Sequence, residues 1–137
     1  MSVTILDGKG VPFDQLPEIN LESGMDVLRT CYTYSEERWV GLADGQIACL
    51  WGLIPPSILS DRAYLWLYHN ELVNEHKFAF VRHSQRQVQI MLEHYPTIIG
   101  DCLIGNRLGR RWLEWLGASF GDPKEKFIPF KIKAKHG

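Results

Sequence analysis

The order of secondary structure is decided by residues 63–104, which read AYLWLYHNELVNEHKFAFVRHSQRQVQIMLEHYPTIIGDCLI. Ala63 to Asn70 alternates in the manner of a strand. From about Asn74 to Tyr95, apolar residues recur at three- and four-residue steps, which predicts a helix that Pro96 ends. Thr97 to Ile104 returns to the pattern of a strand. A strand, a long helix and another strand predict a right-handed crossover between parallel strands.

A tight hairpin precedes this crossover. Arg38 to Ala43 and Gln46 to Leu53 are apolar runs joined by Asp44-Gly45, a two-residue turn whose positive backbone dihedrals suit antiparallel strands. The second run has no polar face. We therefore expect it to lie centrally in a sheet that is covered on both sides.

The N-terminal part predicts one strand and one helix. Ser2 to Leu6 has the composition of a short strand and is followed by a glycine-containing turn. Asn20 or Ser23 is expected to cap a helix that continues to about Cys31, because either side chain can accept a hydrogen bond from the first turn.

The C-terminal part predicts a second helix and a closing strand pair. Asn106 is expected to cap the helix and Gly117 to end it. Ala118 to Phe120 and Lys126 to Ile132 predict two strands, and Pro129 implies that the second is bulged or lies on an edge. The buried stripe of the helix is predicted to consist of Leu108, Trp112, Trp115 and Leu116.

Composition and charge fit one globular domain covering residues 1–137. The 15 Lys and Arg nearly balance the 16 Asp and Glu, which gives a formal net charge of -1. This balance argues against nucleic acid as a partner, because phosphate neutralisation needs a basic excess. No apolar run approaches the roughly 20 residues of a membrane-spanning helix, and no signal peptide is recognised. Three widely spaced cysteines predict reduced thiols and a cytoplasmic protein.

The predicted elements define an α/β class with a single mixed, mostly antiparallel sheet and one parallel strand-helix-strand crossover. This order resembles the acyl-CoA N-acyltransferase (GNAT) fold over nearly the whole chain. Gly105-Asn106 at the start of the last helix and Trp115-Leu116-Gly117-Ala118 at its end resemble the Asn-led helix of that family and its closing turn. The resemblance implies a single GNAT-like domain.

A narrower resemblance concerns three short motifs. Met91-Leu92-Glu93-His94-Tyr95, Ile104-Gly105-Asn106 and Leu116-Gly117-Ala118 look like the internal virion protein A family of short-tailed bacteriophages, small proteins with a GNAT-like body. This resemblance implies other phage or host proteins as partners. It also implies the host cytoplasm or the virion as the location.

The GNAT resemblance raises the question of acetyl-CoA. A working acetyltransferase of this fold holds the cofactor pyrophosphate with backbone N–H groups at a glycine-rich turn, because phosphate must approach the backbone closely. The matching stretch, Leu72 to Lys77, has no glycine, and Glu71 and Glu75 add repelling charge that Lys77 and Arg82 only partly offset. We therefore predict no cofactor, with acetyl-CoA as the alternative. If acetyl-CoA binds, the expected contacts are Asn70, Leu72, His76, Lys77, Arg82 and Asn106.

Catalytic groups are sparse. The resemblance implies a tyrosine general acid about two turns into the last helix, where this chain has Trp112-Leu113. Candidate general bases are His69 and Glu71, expected on one face by the two-residue period, and Asp101, which interrupts an apolar strand. The alternative is that these polar residues lie in solvent at strand ends.

Other surface features have two interpretations. Trp39, beside charged neighbours, is a candidate surface anchor for a partner. The basic tail and the charged side of the last helix are either solvated or docking surfaces. The residues concerned are Lys131, Lys133, Lys135 and His136 in the tail, and Arg107, Arg110, Arg111 and Glu114 in the helix. The histidines show no recognised metal spacing.

Two functions from different classes remain open. The first is a phage-encoded, catalytically degenerate GNAT-fold protein that acts by protein binding in virion morphogenesis or host takeover. The second is an acetyl-CoA-dependent N-acetyltransferase with a degenerate cofactor turn. Fold alone does not decide between them.

Overall fold

The structure is a computed structural model that describes residues 3–19, 21 and 23–134. Its seven strands form a mixed sheet with the order β1-β2-β3-β4-β5-β7-β6, in which β4 and β5 are parallel. The elements are β1 (Val3–Asp7), α1 (Met25–Tyr34), β2 (Glu37–Ala43), β3 (Gln46–Ile54), β4 (Arg62–His69), α2 (Glu71–Glu75), α3 (Lys77–His94), β5 (Thr97–Leu103), α4 (Arg107–Trp115), β6 (Ser119–Phe120) and β7 (Phe127–Lys133). The predicted α/β class, with its mostly antiparallel sheet and one parallel crossover, is confirmed.

The described residues divide into two compact units. Unit 1 comprises residues 3–19, 21, 23–54 and 66–83, and unit 2 comprises residues 55–65 and 84–134. No helix among the described residues is both long enough and apolar enough to cross a bilayer.

The hairpin of unit 1 follows the prediction. Asp44 and Gly45 have φ of 51° and 83°, the positive values that a tight two-residue turn between antiparallel strands requires. β3 is buried from Ile47 to Leu53, so neither of its faces lies in solvent.

Helix α1 packs against β3 to form the core of unit 1. The helix is preceded by Gly24 with φ of 85° and has no side-chain cap, so the predicted Ser23 cap is wrong. The other candidate cap, Asn20, lies outside the described residues. The buried cluster consists of Leu28, Tyr32, Val40, Ile47, Leu50 and Trp66.

Trp39 belongs to the interior of unit 1, so the predicted surface anchor is wrong. It is paired with Trp51 across β2 and β3, and the two rings stack with their centroids 6.1 Å apart. Only 9% of Trp39 is exposed. The charged neighbours in sequence were misleading, because adjacent strand residues point to opposite faces.

Unit 2 is built on the parallel pair and on β7. The parallel register runs from Arg62 opposite Thr97 to Tyr64 opposite Ile99. Gly100 leaves room for the Phe130 ring, and a Cβ at this position would also lie 2.9 Å from the Leu65 carbonyl oxygen. The buried face of β5 and β7 consists of Ile98, Cys102, Ile128, Phe130 and Ile132.

Pro129 does not lie in an edge strand. β7 lies between β5 and β6, and its register with β5 has no bulge, so the predicted edge or bulge is wrong. The Pro129 carbonyl accepts a hydrogen bond of 2.9 Å from Gly121 N–H, just past the end of the two-residue strand β6. Because N and O of one residue face the same neighbour in an antiparallel ladder, the proline nitrogen points where no ladder donor is needed.

The buried stripe of α4 is displaced from the predicted one. Leu108 is 62% exposed and Trp115 is 52% exposed, so the prediction of their burial is wrong. The Trp112 indole N–H donates to Ser84 Oγ over 3.0 Å and thereby orients the helix on α3. The half-buried positions are Gly109, Trp112, Leu113 and Leu116, which have helical spacing of three and four residues.

Candidate functional site

The candidate cofactor corner is the junction of β4, α2 and α3 in unit 1. β4 ends at His69, and the short helix α2 begins at Glu71, earlier than the helix start predicted at about Asn74. His69 and Glu71 are both exposed. The two-residue strand period stops at His69, so the predicted shared face of His69 and Glu71 is not supported by a continuous strand.

Asn70 determines this early helix start. Its side-chain Oδ1 accepts a hydrogen bond from Leu72 N–H at 3.0 Å, which makes it the N-cap of α2. Its Nδ2 donates to the Ile47 carbonyl at 2.8 Å, and its backbone N–H donates to the Ala48 carbonyl at 3.0 Å. Asn70, predicted as a cofactor contact, therefore binds the protein's own backbone.

The backbone donors that follow Asn70 are also used internally. Val73 N–H donates to the Asn70 carbonyl at 3.1 Å. His76 N–H is shared between the Leu72 and Val73 carbonyls, at 3.2 Å each. In a glycine-rich cofactor turn these N–H groups would point at phosphate. Here the N–H groups of Leu72, Val73 and His76 have partners within unit 1, so these three donors are not free to bind a pyrophosphate.

Charge at the corner is mixed. Glu71 and Glu75 are exposed within α2, and Lys77 and Arg82 are exposed on α3. The Lys77 ammonium lies 5.8 Å from the centroid of the Phe78 ring. These cations remain accessible, but they do not replace the backbone donors that α2 has engaged.

We predict that Asn70→Ala lowers the free energy of unfolding by about 1–3 kcal/mol, because it removes the cap and leaves the Ile47 carbonyl without its donor. Urea unfolding measures the loss. The matched control is Asn74→Ala at an exposed position of α2, expected to change stability by less than about 0.5 kcal/mol. Equal losses in both variants would contradict the fastening role of Asn70.

Asp101, the third candidate base, lies in unit 2. It is exposed on β5, and its Oδ2 accepts a hydrogen bond from the Tyr64 hydroxyl at 3.0 Å. Tyr64 points to the same face because it is in register with Ile99, two residues before Asp101. Sequence reasoning assigned no role to Tyr64, although its place in the Tyr64-Leu65-Trp66 alternation already put it on one face of the strand.

Asn106 also serves the local backbone. Its Oδ1 accepts from Gly109 N–H at 2.9 Å, which confirms the predicted cap of α4. Gly117, with φ of 98°, follows the end of this helix as predicted. Asn106 lines a shallow depression within unit 2, together with Leu103, Ile104, Gly105 and Lys126.

The predicted site residues thus fall into two groups. Unit 1 holds the candidates that follow β4, whereas unit 2 holds Asp101 and Asn106. At the position where the resemblance implies a general acid, Trp112 contacts Ser84 and offers no titratable proton. The unit 1 candidates are His69, Asn70, Glu71, Leu72, His76, Lys77 and Arg82.

The cysteines are poor nucleophiles. Burial raises the pKa of Cys31, Cys49 and Cys102, and for Cys49 it reaches about 12. All three are free thiols. Among the described residues, no group of three His, Cys, Asp or Glu side chains is arranged to hold a metal ion. The predicted tail residues Lys135 and His136 lie outside the described residues.

The buried Cys49 thiol makes the free energy of unfolding depend on pH in the alkaline range. Its pKa rises from 9.0 to about 12 on folding, so above pH 9 the unfolded chain releases a proton that the folded chain keeps. Stability therefore falls as pH rises, and between about pH 8 and about pH 10.5 the loss from this group is about 2 kcal/mol. We expect Cys49→Ala to reduce the pH dependence of urea unfolding by this amount. An unchanged slope would contradict the burial of the thiol.

Comparison with solved structures identifies this arrangement as the GNAT N-acetyltransferase fold. A putative phosphinothricin N-acetyltransferase is similar with a TM-score of 0.70 and 10% identity, covering 98% of this chain and 99% of that one. Campylobacter jejuni N-acetyltransferase PseH in complex with acetyl coenzyme A is similar with a TM-score of 0.65 and 11% identity, over 98% of this chain and 100% of that one. An IAA acetyltransferase from Bacillus cereus is similar with a TM-score of 0.66 and 10% identity, over 97% of this chain and 100% of that one.

At these identities the likeness concerns the fold alone. No family model matches the chain, and no curated protein matches it. The comparisons confirm the GNAT part of the resemblance and give no support to the phage family.

Proposed function

We propose that this chain is a GNAT-fold protein that does not catalyse acetyl transfer and acts by binding other proteins. The observation that carries the proposal is the closed corner after β4. There the N–H groups of Leu72, Val73 and His76 are bonded within the chain, and Asn70 holds the turn to β3. A cofactor pyrophosphate would have to displace these hydrogen bonds, and the negative charges of Glu71 and Glu75 would repel it.

The biological setting is part of the same proposal. The motifs Met91–Tyr95, Ile104–Asn106 and Leu116–Ala118 support a role in the assembly of a short-tailed phage particle or in host takeover. The expected location is the virion or the host cytoplasm. The test is to infect cells with a phage that encodes the protein, to separate virions from host cytoplasm on a density gradient, and to probe the fractions for the protein. Its absence from both virions and host cytoplasm would contradict the setting.

Calorimetric titration with acetyl-CoA tests the loss of catalysis. We expect no saturable heat with ligand up to about 1 mM, whereas a working cofactor site would saturate in the micromolar range. Cooperative urea unfolding of the same preparation shows that the protein is folded. Saturable micromolar binding would overturn the proposal.

The second candidate is an acetyl-CoA-dependent N-acetyltransferase. The observation in its favour is the similarity to a structure determined with acetyl coenzyme A bound. In this case Asp101, hydrogen-bonded to Tyr64, is the strongest candidate base among the described residues because its orientation is fixed. Acetyl-CoA hydrolysis or amine acetylation that Asp101→Asn abolishes would favour this function.

A further inference from the structure

The outward side of α4 combines cations with large apolar side chains. Arg107, Leu108, Arg111 and Trp115 are all exposed. At about 100° per residue they occupy roughly 100° of the helix circumference, so they form one continuous strip. This strip adjoins the observed half-buried side of the helix, which explains why its apolar members were mistaken for core.

The turn that directly precedes the helix also exposes a large apolar side chain. Ile104 is 46% exposed and its N–H donates to the Lys126 carbonyl at 2.9 Å. Ile104 and Lys126 line the depression described above. We name Ile104, Arg107, Leu108, Arg111, Trp115 and Lys126 the α4 patch. An apolar surface rimmed by charges is typical of a protein interaction site.

Two arginines of the α4 patch are available to a partner. Arg110, outside the patch, pairs with Glu114 over 3.5 Å and lies 5.0 Å from the centroid of the Phe120 ring. Within residues 3–19, 21 and 23–134, neither Arg107 nor Arg111 forms an ion pair or a side-chain hydrogen bond. Their guanidinium groups present donors in a planar fork that matches carboxylates.

The local charge has the opposite sign to that of the whole chain. Residues 103–127 carry five Lys and Arg against three Asp and Glu, whereas the chain has a net charge of -1. An acidic partner is attracted to this surface, and desolvated Arg and Trp side chains supply much of the binding energy at protein interfaces.

The same charges argue against a second copy of the chain and against a nucleic acid as the partner at this patch. A symmetric contact between two copies of the patch would bring like-charged arginines together. A nucleic acid needs many phosphate contacts and aromatic platforms, whereas the patch offers three cations and two aliphatic side chains around one indole.

We propose that the α4 patch binds an acidic segment of a partner protein that carries large apolar side chains. The carboxylates of the segment pair with Arg107, Arg111 and Lys126, and its apolar side chains cover Leu108 and Trp115. This inference rests on the proposed binding function, and it specifies the surface and the chemistry of the partner.

The test uses a fluorescein-labelled acidic peptide of roughly 18 residues, with Leu at three- and four-residue steps and Glu elsewhere. We expect a saturable rise in anisotropy with Kd below about 100 µM at low salt, weakened by added salt. Arg107→Glu combined with Arg111→Glu is expected to weaken binding about tenfold or more, and Trp115→Ala about fivefold. The matched control, Lys9→Glu with Arg86→Glu, makes the same charge change at exposed positions outside the patch and leaves binding unchanged.

The inference is overturned if the Glu peptide does not bind, or if a peptide with Lys in place of Glu binds equally well. It is also overturned if the control variant loses as much binding, or if a single-stranded oligonucleotide binds more tightly. Self-association that Trp115→Ala abolishes in sedimentation equilibrium would identify a second copy as the occupant and also overturn it. The same preparations are titrated with acetyl-CoA. Acetyl-CoA binding counts against the proposed function, whereas the peptide data alone decide the α4 patch.

Discussion

Replacing Leu50 by alanine is expected to lower the free energy of unfolding by about 2–5 kcal/mol, because the substitution removes a fully buried side chain and leaves a cavity. Leu50 lies in the middle of β3, has 0% exposure and belongs to the cluster formed with Tyr32 and Trp66. Urea unfolding followed by tryptophan fluorescence measures the change.

Leu67→Ala is the matched control, since it makes the same chemical change in β4. Leu67 is 51% exposed, so less apolar surface returns to water and no closed cavity forms. We expect a loss below about 1 kcal/mol. Equal losses for Leu50→Ala and Leu67→Ala would contradict the assignment of β3 to the interior.

Arg38→Ala is expected to cost about 3 kcal/mol. The Arg38 Nε donates to the Gly8 carbonyl at 2.9 Å, and its two Nη atoms donate to the Tyr32 and Val11 carbonyls at 3.0 Å each. The guanidinium carbon also lies 4.3 Å from the centroid of the Tyr32 ring. The substitution removes these three charge-assisted hydrogen bonds, each worth about 1 kcal/mol, while each carbonyl keeps a second donor elsewhere in unit 1.

Arg38→Lys separates the effect of geometry from that of charge. A lysine keeps the charge but does not reach three carbonyls with a planar fork, so we expect it to recover less than half of the loss. Arg86→Ala, at an exposed position of α3, is the control and should change stability by less than about 0.5 kcal/mol. Full recovery by lysine would show that charge alone matters.

These effects describe how the interior of unit 1 is stabilised. The interior of unit 1 depends on Leu50 and its neighbours, and its N-terminal segment is held by Arg38. Neither contribution requires the glycines of a pyrophosphate turn. After β4, the N–H groups of Leu72, Val73 and His76 donate hydrogen bonds to Asn70 and to carbonyl groups within α2.

Much of the fold could be predicted from local sequence patterns. Asp44-Gly45 predicted a hairpin because few residue pairs tolerate two consecutive positive φ values. Asn106 and Gly117 predicted the ends of α4 because capping depends on side chains within a few residues. The missing glycines in Leu72 to Lys77 remain the basis of the prediction that the cofactor turn is altered.

Other features depended on partners distant in sequence. The role of Asn70 required the Ile47 carbonyl, 23 residues earlier, and the orientation of Asp101 required Tyr64, 37 residues earlier. No local pattern reports such contacts, because they form only when strands are brought side by side.

The sequence by itself determined the order of the elements, the hairpin, the caps of α4 and the absence of a glycine cradle, since each depends on backbone preferences within a few residues. Only the tertiary structure decided that Trp39 stacks on Trp51 inside the protein, that Leu108 and Trp115 face solvent, and that the donors after β4 are engaged. Burial and hydrogen-bond satisfaction are set by what packs against a residue, and periodicity identifies a face without identifying what covers it.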